Sequence, residues 1–192
     1  ALATNTSLKE LNLHDNNLAS ASGVAFGKAL ATNTSLKELN LDNNKMDDAS
    51  GVAFAKGLAI NTSLRVLTLG ETNLGIESGV AFGEALATNT SLIDLTLGGN
   101  QLGSGTSRVV FANALAINTS LRELDLANTN LGLGGDGFGA ALAINTSLRI
   151  LKLSSNKLGD ISGVAFGKAL VTNRSLRHLD LSHNALGEKS GV

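Results

Sequence analysis

One short string dominates this chain. Thr-Ser-Leu, written Arg174-Ser175-Leu176 in its last copy, recurs with its leucine at Leu8, Leu36, Leu64, Leu92, Leu121, Leu148 and Leu176. The steps are 28, 28, 28, 29, 27 and 28 residues. A fixed period of this length constrains the fold more than any local propensity. Each unit is too small to bury its own apolar side and must stack on its neighbours. The steps of 29 and 27 are adjacent: one residue is added within Gly103–Ser107 and one is lost within Leu133–Gly137. Both changes fall in the connection after the first half of the unit, where length varies at little cost.

Every unit opens as Leu-x-x-Leu-x-Leu, as in Leu36, Leu39 and Leu41. The last two leucines are two apart and therefore point to one side of a strand. Equivalent strands of successive units would pair into a parallel sheet, about 4.8 Å from one to the next. An asparagine follows at the turn out of the strand: Asn16, Asn44, Asn100, Asn156 or Asn184. A buried amide there can satisfy backbone groups that a sharp bend strips of ladder partners. Thr72 and Thr129 take its place in two units, and those turns are expected to be looser or bridged by water.

The second half reads as a helix, for example Ser22 to Ala31, with Val24, Phe26, Ala29 and Leu30 on one face. The serine is expected to be the N-cap, and Asn33 or Asn61 to end the helix in a left-handed conformation. Gly27, Gly83 and Gly167 each disfavour a helix by roughly 1 kcal/mol, so tertiary packing must hold it. The expectation is a single domain over residues 1–192, seven strand-helix units with the first and last incomplete. Ala1–Asn5 repeats the tail of an internal unit, Ala29–Asn33, so the chain reads as part of a longer array. Neither end carries a polar capping unit, which predicts exposed apolar surface, an unpaired strand edge and end-to-end self-association.

The pattern Leu-x-x-Leu-x-Leu-x-x-Asn-x-Leu, as it stands from Leu8 to Leu18, resembles the ribonuclease-inhibitor-like class of leucine-rich repeats. That class includes the sensing arms of NOD-like receptors and the body of Ran GTPase-activating proteins. The resemblance runs along essentially the whole chain. It implies an α/β leucine-rich-repeat solenoid, a right-handed horseshoe with the parallel sheet on its concave face and helices on its convex face. It also implies a non-enzymatic module that binds another protein through the concave face. A structural or autoregulatory element contacting its own parent chain is the alternative, and a GTPase-activating accessory a third. The chain departs from several relatives in having no cysteine alternating with asparagine at the turn.

Composition narrows the function classes. Fifteen basic residues against 16 acidic give a formal charge of −1, which offers no footprint for nucleic acid or a membrane surface. The absence of cysteine excludes disulfides and thiolate metal sites. Together with the lack of a signal segment it points to a cytoplasmic protein. All six phenylalanines (Phe26, Phe54, Phe82, Phe111, Phe138 and Phe166) occupy one equivalent helix position. With no Trp or Tyr, the concave face has no aromatic anchor, and arginine is the remaining hot-spot residue type.

Arg65, Arg122, Arg149 and Arg177 share one strand position. They either form a spaced basic ladder or pair with carboxylates such as Glu123 or Asp125. Glu71, Asp125, Lys152, Asp180 and His183 complete the candidate partner-binding set. The C-terminal units are the most basic part of this face, and its centre around Gly98 and Gly99 is nearly bare. No metal or cofactor is expected: His14 lies six strands, roughly 25 Å or more, from His178 and His183. Gly132, Gly134 and Gly137 fit G-x-G-x-x-G but lack a Rossmann context and fill the shortened connection. No constellation suggests catalysis. Seven glycosylation sequons, at Asn5, Asn33, Asn61, Asn89, Asn118, Asn145 and Asn173, recur with the loop. In a secreted protein they predict a row of glycans along one edge.

Overall fold

A computed structural model describes residues 1–103 and 105–190. Among these residues seven strands alternate with six α-helices: β1 Glu10–Asn12, α1 Ser20–Leu30, β2 Glu38–Asn40, α2 Asp48–Ile60, β3 Val66–Thr68, α3 Ile76–Thr88, β4 Asp94–Thr96. The chain continues with α4 Thr106–Ile117, β5 Glu123–Asp125, α5 Asp136–Ile144, β6 Ile150–Lys152, α6 Asp160–Thr172 and β7 His178–Asp180. The strands form one parallel sheet in sequence order. Leu11, Leu39, Leu67, Leu95, Leu124, Leu151 and Leu179 stand in register across it. The sheet is one layer and the helices the other, as the repeat requires. No helix of the described residues is long and apolar enough to cross a membrane.

The core lies between the layers. Leu39, Leu67, Leu95, Leu124 and Leu151 are fully or almost fully buried, as are Phe54, Phe82, Phe111, Phe138 and Phe166 from the helices. Leucines of the outer units, such as Leu11 and Leu179, and Phe26 are only partly buried against this core. Helical glycines are demanded by close approach. A Cβ on Gly27 would overlap the backbone carbonyl of Ala53 and lie 2.5 Å from the Phe54 nitrogen. The glycines that weaken an isolated helix are thus what lets α1 and α2 touch through their backbones.

The helices begin earlier than expected. Ser50, Ser78 and Ser162 lie inside the first turn and are completely buried. Asp47 is the N-cap of α2, accepting from the Ser50 N–H at 3.1 Å. The serine hydroxyl turns to the preceding unit: Ser162 Oγ donates to the Leu133 carbonyl at 3.1 Å and Ser50 Oγ to that of Ser20 at 3.3 Å.

The helix ends differ too. Asn61 is extended (φ −74°, ψ 131°), not left-handed, and so are Asn89, Asn118, Asn145 and Asn173. The amide acts between units instead. Asn61 Nδ2 donates to the Leu30 carbonyl (2.7 Å) and the Asn33 carbonyl (2.8 Å), while Oδ1 accepts from the N–H of Ser63 (2.9 Å) and Leu64 (2.7 Å). Leu30 ends α1, and its carbonyl has no partner within its own helix. Each unit therefore closes the helix of the unit before it.

A second asparagine ladder runs along the turns after the strands. Asn44 Nδ2 donates to the carbonyls of Leu13 (3.0 Å) and Leu41 (2.8 Å), and Oδ1 accepts from the N–H of Asn16 (3.2 Å) and Leu18 (2.8 Å). The threonine turns are not slack. Thr72 is fully buried, its hydroxyl donates to the Leu69 carbonyl at 2.6 Å, and its N–H reaches Asn100 Oδ1 at 3.1 Å. The deficit appears one unit earlier. Asn100 Oδ1 serves two N–H groups, but a threonine hydroxyl cannot reach back in the same way. Among the described residues no acceptor meets the N–H of Asn44 and Met46, or that of Asn100 and Leu102 behind Thr129. The ladder thus has two gaps.

The inserted residue lies in the loop before α4, where Gly103 and Gly105 adopt φ of +80° and +83°; Ser104, within that insertion, lies outside the described residues. The deletion shortens α5 to 9 residues against 12 in α4 and 13 in α6. Gly132 and Gly134 lie in the connection into α5, and Gly137 lies in its first turn: Gly132 takes φ +71°, and the Gly135 N–H donates to Ser162 Oγ at 2.9 Å.

Candidate functional site

Alternation along a three-residue strand turns its middle leucine to the core and its two ends to the open face of the sheet. Register then assembles two rows. One runs Glu10, Glu38, Val66, Asp94, Glu123, Ile150, His178, and the other Asn12, Asn40, Thr68, Thr96, Asp125, Lys152, Asp180. No Phe, Tyr or Trp interrupts either row. The only ion pairs among the described residues join Lys152 Nζ to Glu123 Oε1 at 2.8 Å and to Asp125 Oδ2 at 3.5 Å. The hydrogen bond to Glu123 holds the Lys152 ammonium above its ordinary value against the opposing effect of burial.

Asp94 is the most perturbed group of this face. Its carboxyl pKa is pushed up to about 6, first by burial and then by Glu123, which stands directly opposite it on β5. Asp125 and Asp42 add to the shift and Lys152 opposes it. Like charges directly opposed across a sheet destabilise it. Asp94 Oδ1 and, on the adjoining strand, Thr68 Oγ1 are buried with no hydrogen-bond partner among the described residues.

Beyond the strand ends lies a trough of about 370 Å³, floored by Gly70 and Gly98 and bordered by His14, Asp42, Glu71, Asp125 and Asn128. Asp42 Oδ1 accepts from the Gly70 N–H at 2.6 Å, and Asp125 Oδ1 from that of Ala127 at 2.9 Å. Backbone bonds thus fix both carboxylates on opposite sides of the glycine floor. Glu71 sits at φ +52° over Gly99, where a Cβ would meet its Cγ at 2.6 Å.

The structure brings together only part of the expected set. Asp125 and Lys152 touch, and Glu71 shares the trough with Asp125. Arg122, Arg149 and Arg177 stand in register on consecutive units, the N–H of Arg149 and of Arg177 donating to the carbonyls of Arg122 and Arg149, and no arginine pairs with a carboxylate among the described residues. Arg65, Arg122 and Arg149 each donate through Nη1 to a backbone carbonyl of the next unit, Ser91 (2.6 Å), Ser147 (2.8 Å) and Ser175 (3.0 Å) respectively. They clip consecutive units together at one edge of the sheet. Arg177, Asp180 and His183 belong to the last unit, two strands beyond the trough residue Asp125. Asp180 is held below the ordinary carboxylate range by Ser182, whose N–H donates to it at 2.9 Å.

Asp42, Asp94 and Glu123 were visible as face residues in the sequence but not as a cluster. The signal was present in the register, because residues 28 or 29 apart become neighbours. The face can receive cationic groups along Asp42, Asp94, Glu123 and Asp125, whose combined charge exceeds that of Lys152.

Comparison with known proteins agrees with this architecture. A family model described as leucine-rich repeats (2 copies) matches residues 6–54, and one described as leucine-rich repeat matches residues 118–135, 145–167 and 172–191. No curated protein matches the chain. Among solved structures, leiomodin-1 actin-binding site 2 is similar at 25% identity and a TM-score of 0.58, over 65% of this chain and 74% of that one. The tropomodulin C-terminal domain of Caenorhabditis elegans has the same fold at 18% identity and a TM-score of 0.58, over 64% of this chain and 75% of that one. The two family matches together span more than half of the sequence, and the chain belongs to the leucine-rich-repeat family.

Proposed function

We propose that this chain is a protein-interaction module, a single domain of seven units, that binds through the concave face of its sheet to a partner presenting basic side chains. The observation that carries this reading is the set of fixed carboxylates around the Gly70–Gly98 floor, with Lys152 as the one cation paired among them. Complementary charge sets the orientation and rate of encounter more than its strength, so binding should weaken steeply with salt. Arg65, Arg122 and Arg149 serve this reading as clips between units, and Glu71, Asp125 and Lys152 as contact residues. The similar leiomodin-1 structure is an actin-binding site, which makes actin a candidate partner.

The test uses fluorescence anisotropy with two labelled peptides, one arginine-rich and one glutamate-rich, and cosedimentation with filamentous actin. The arginine-rich peptide is expected to bind and the glutamate-rich one not to. Asp42→Asn with Asp125→Asn keeps both backbone acceptors while removing two charges, and should weaken the arginine-rich peptide about tenfold, which corresponds to about 1.4 kcal/mol. Equal binding of both peptides, or an unchanged affinity in the double variant, would refute the reading.

A further inference from the structure

Six of the seven sequons place their acceptor nitrogen inside the inter-unit ladder. Nδ2 of Asn33, Asn61, Asn89, Asn118, Asn145 and Asn173 each donates to the carbonyl of a leucine in or at the end of the preceding helix, at 2.7–2.8 Å. Each also donates to the carbonyl of the preceding sequon asparagine, at 2.8–3.1 Å. The first five of these asparagines are 3–6% exposed. The third residue of the sequon is committed as well: Ser91 Oγ donates to the Asn61 carbonyl at 3.1 Å, and Ser147 Oγ to that of Asn118 at 3.1 Å. Asn5, by contrast, is exposed.

We infer that asparagine-linked glycosylation at these six positions and folding of the array exclude one another. Transfer from a lipid-pyrophosphate-linked oligosaccharide forms a bond between Nδ2 and the anomeric carbon. The pyrophosphate leaves with the electron pair of the broken C–O bond, and the amide gives up one proton. The product keeps one N–H where the ladder uses two. The sugar would also occupy the space of the helix-end carbonyl that the lost N–H had met. In a repeat array stability comes from contacts between neighbours, so a glycan at Asn89 separates the units before it from those after it. The folded array is therefore no substrate, and a chain modified before folding cannot close its units. Where oligosaccharyltransferase meets the chain, only molecules that fold before transfer keep the ladder intact. The sequons recur because the ladder recurs, and the row of glycans along one edge cannot form on the folded protein.

Two arms test this. In the first, the folded 192-residue chain and a peptide of residues 84–98 are incubated with purified oligosaccharyltransferase and its lipid-linked donor, and glycopeptides are quantified by mass spectrometry. Asn89 in the folded chain should react more than about 100-fold more slowly than in the peptide, because access requires opening a buried segment. Asn5 serves as the accessible internal control. Comparable rates at Asn89 in chain and peptide overturn the inference. In the second arm the chain is secreted behind a signal peptide, and the protease-resistant and protease-sensitive fractions are mapped separately. Glycans at the six ladder positions are expected only in the sensitive fraction. A resistant, folded fraction carrying a glycan at any of the six positions overturns it.

Discussion

Replacing Thr72 by asparagine should close the first gap in the turn ladder. In the flanking units Asn44 and Asn100 use Oδ1 to accept two N–H groups of the unit before and Nδ2 to donate to two leucine carbonyls. An asparagine at 72 would reach the N–H of Asn44 and Met46, residues that are 2% and 3% exposed. A buried unpaired N–H costs about 1–3 kcal/mol, and a restored neutral bond returns about 1 kcal/mol net. Two such bonds set the gain at about 2 kcal/mol. The lost hydroxyl bond from Thr72 to Leu69 is replaced by the new amide donating to the same carbonyl. For a chain of this size that corresponds to roughly 4–8 °C in Tm. Urea denaturation followed by circular dichroism at 222 nm, beside Thr72→Val as the variant that only removes the hydroxyl, measures it. Thr72→Val should lose about 1 kcal/mol, since the Leu69 carbonyl keeps its bond from Asn100 at 2.7 Å. A Thr72→Asn protein that is less stable than the parent, or no more stable, would refute the idea that the ladder is interrupted here.

Two further outcomes follow from features described above. Gly27→Ala should destabilise the fold by about 1–2 kcal/mol in the same assay, although alanine favours a helix by roughly 1 kcal/mol, because the added methyl overlaps the backbone of α2. A stabilised variant would show that the helices are free to move apart. Asp94 has a folded pKa near 6 against an ordinary 3.8, so between those values the folded chain binds a proton that the unfolded chain releases. Stability therefore falls as pH rises through that window. Asp94→Asn should flatten this dependence and be the more stable protein above about pH 6, as urea midpoints at about pH 4.5 and about pH 7.5 would report. Identical pH profiles for the two proteins would exclude Asp94 as the cause.

The leucines were legible because their partners obey the local period: Leu39 and Leu41 announce a strand face without reference to anything beyond the unit. Asn61 was misread for the opposite reason. Its partners Leu30 and Asn33 lie 31 and 28 residues away, while a neighbour-by-neighbour reading sees only an asparagine after a helix, where left-handed caps are common. Ser50 misled in the same way, since a serine before an apolar run looks like a cap until Asp47 is seen to take that role. Arg65, Arg122 and Arg149 look free on the sheet face, yet each spends its guanidinium on a carbonyl 25 or 26 residues ahead. The acidic centre was hidden because charges were weighed unit by unit. Read across the register, Asp94 meets Glu123, and the cluster becomes visible in the sequence itself.

Backbone contacts such as the one at Gly27 also bear on how strongly a solenoid of this kind curves. Strands repeat at about 4.8 Å while helices ordinarily pack 8–10 Å apart, and that mismatch is what bends a solenoid toward its sheet. Helices that touch through glycine repeat at a shorter spacing, nearer that of the strands. The arc opens and the sheet face flattens. These glycines therefore act at a distance on recognition: bulkier residues in their place would wedge the helices apart, tighten the arc and narrow the range of surfaces that the trough at Gly70 and Gly98 could meet.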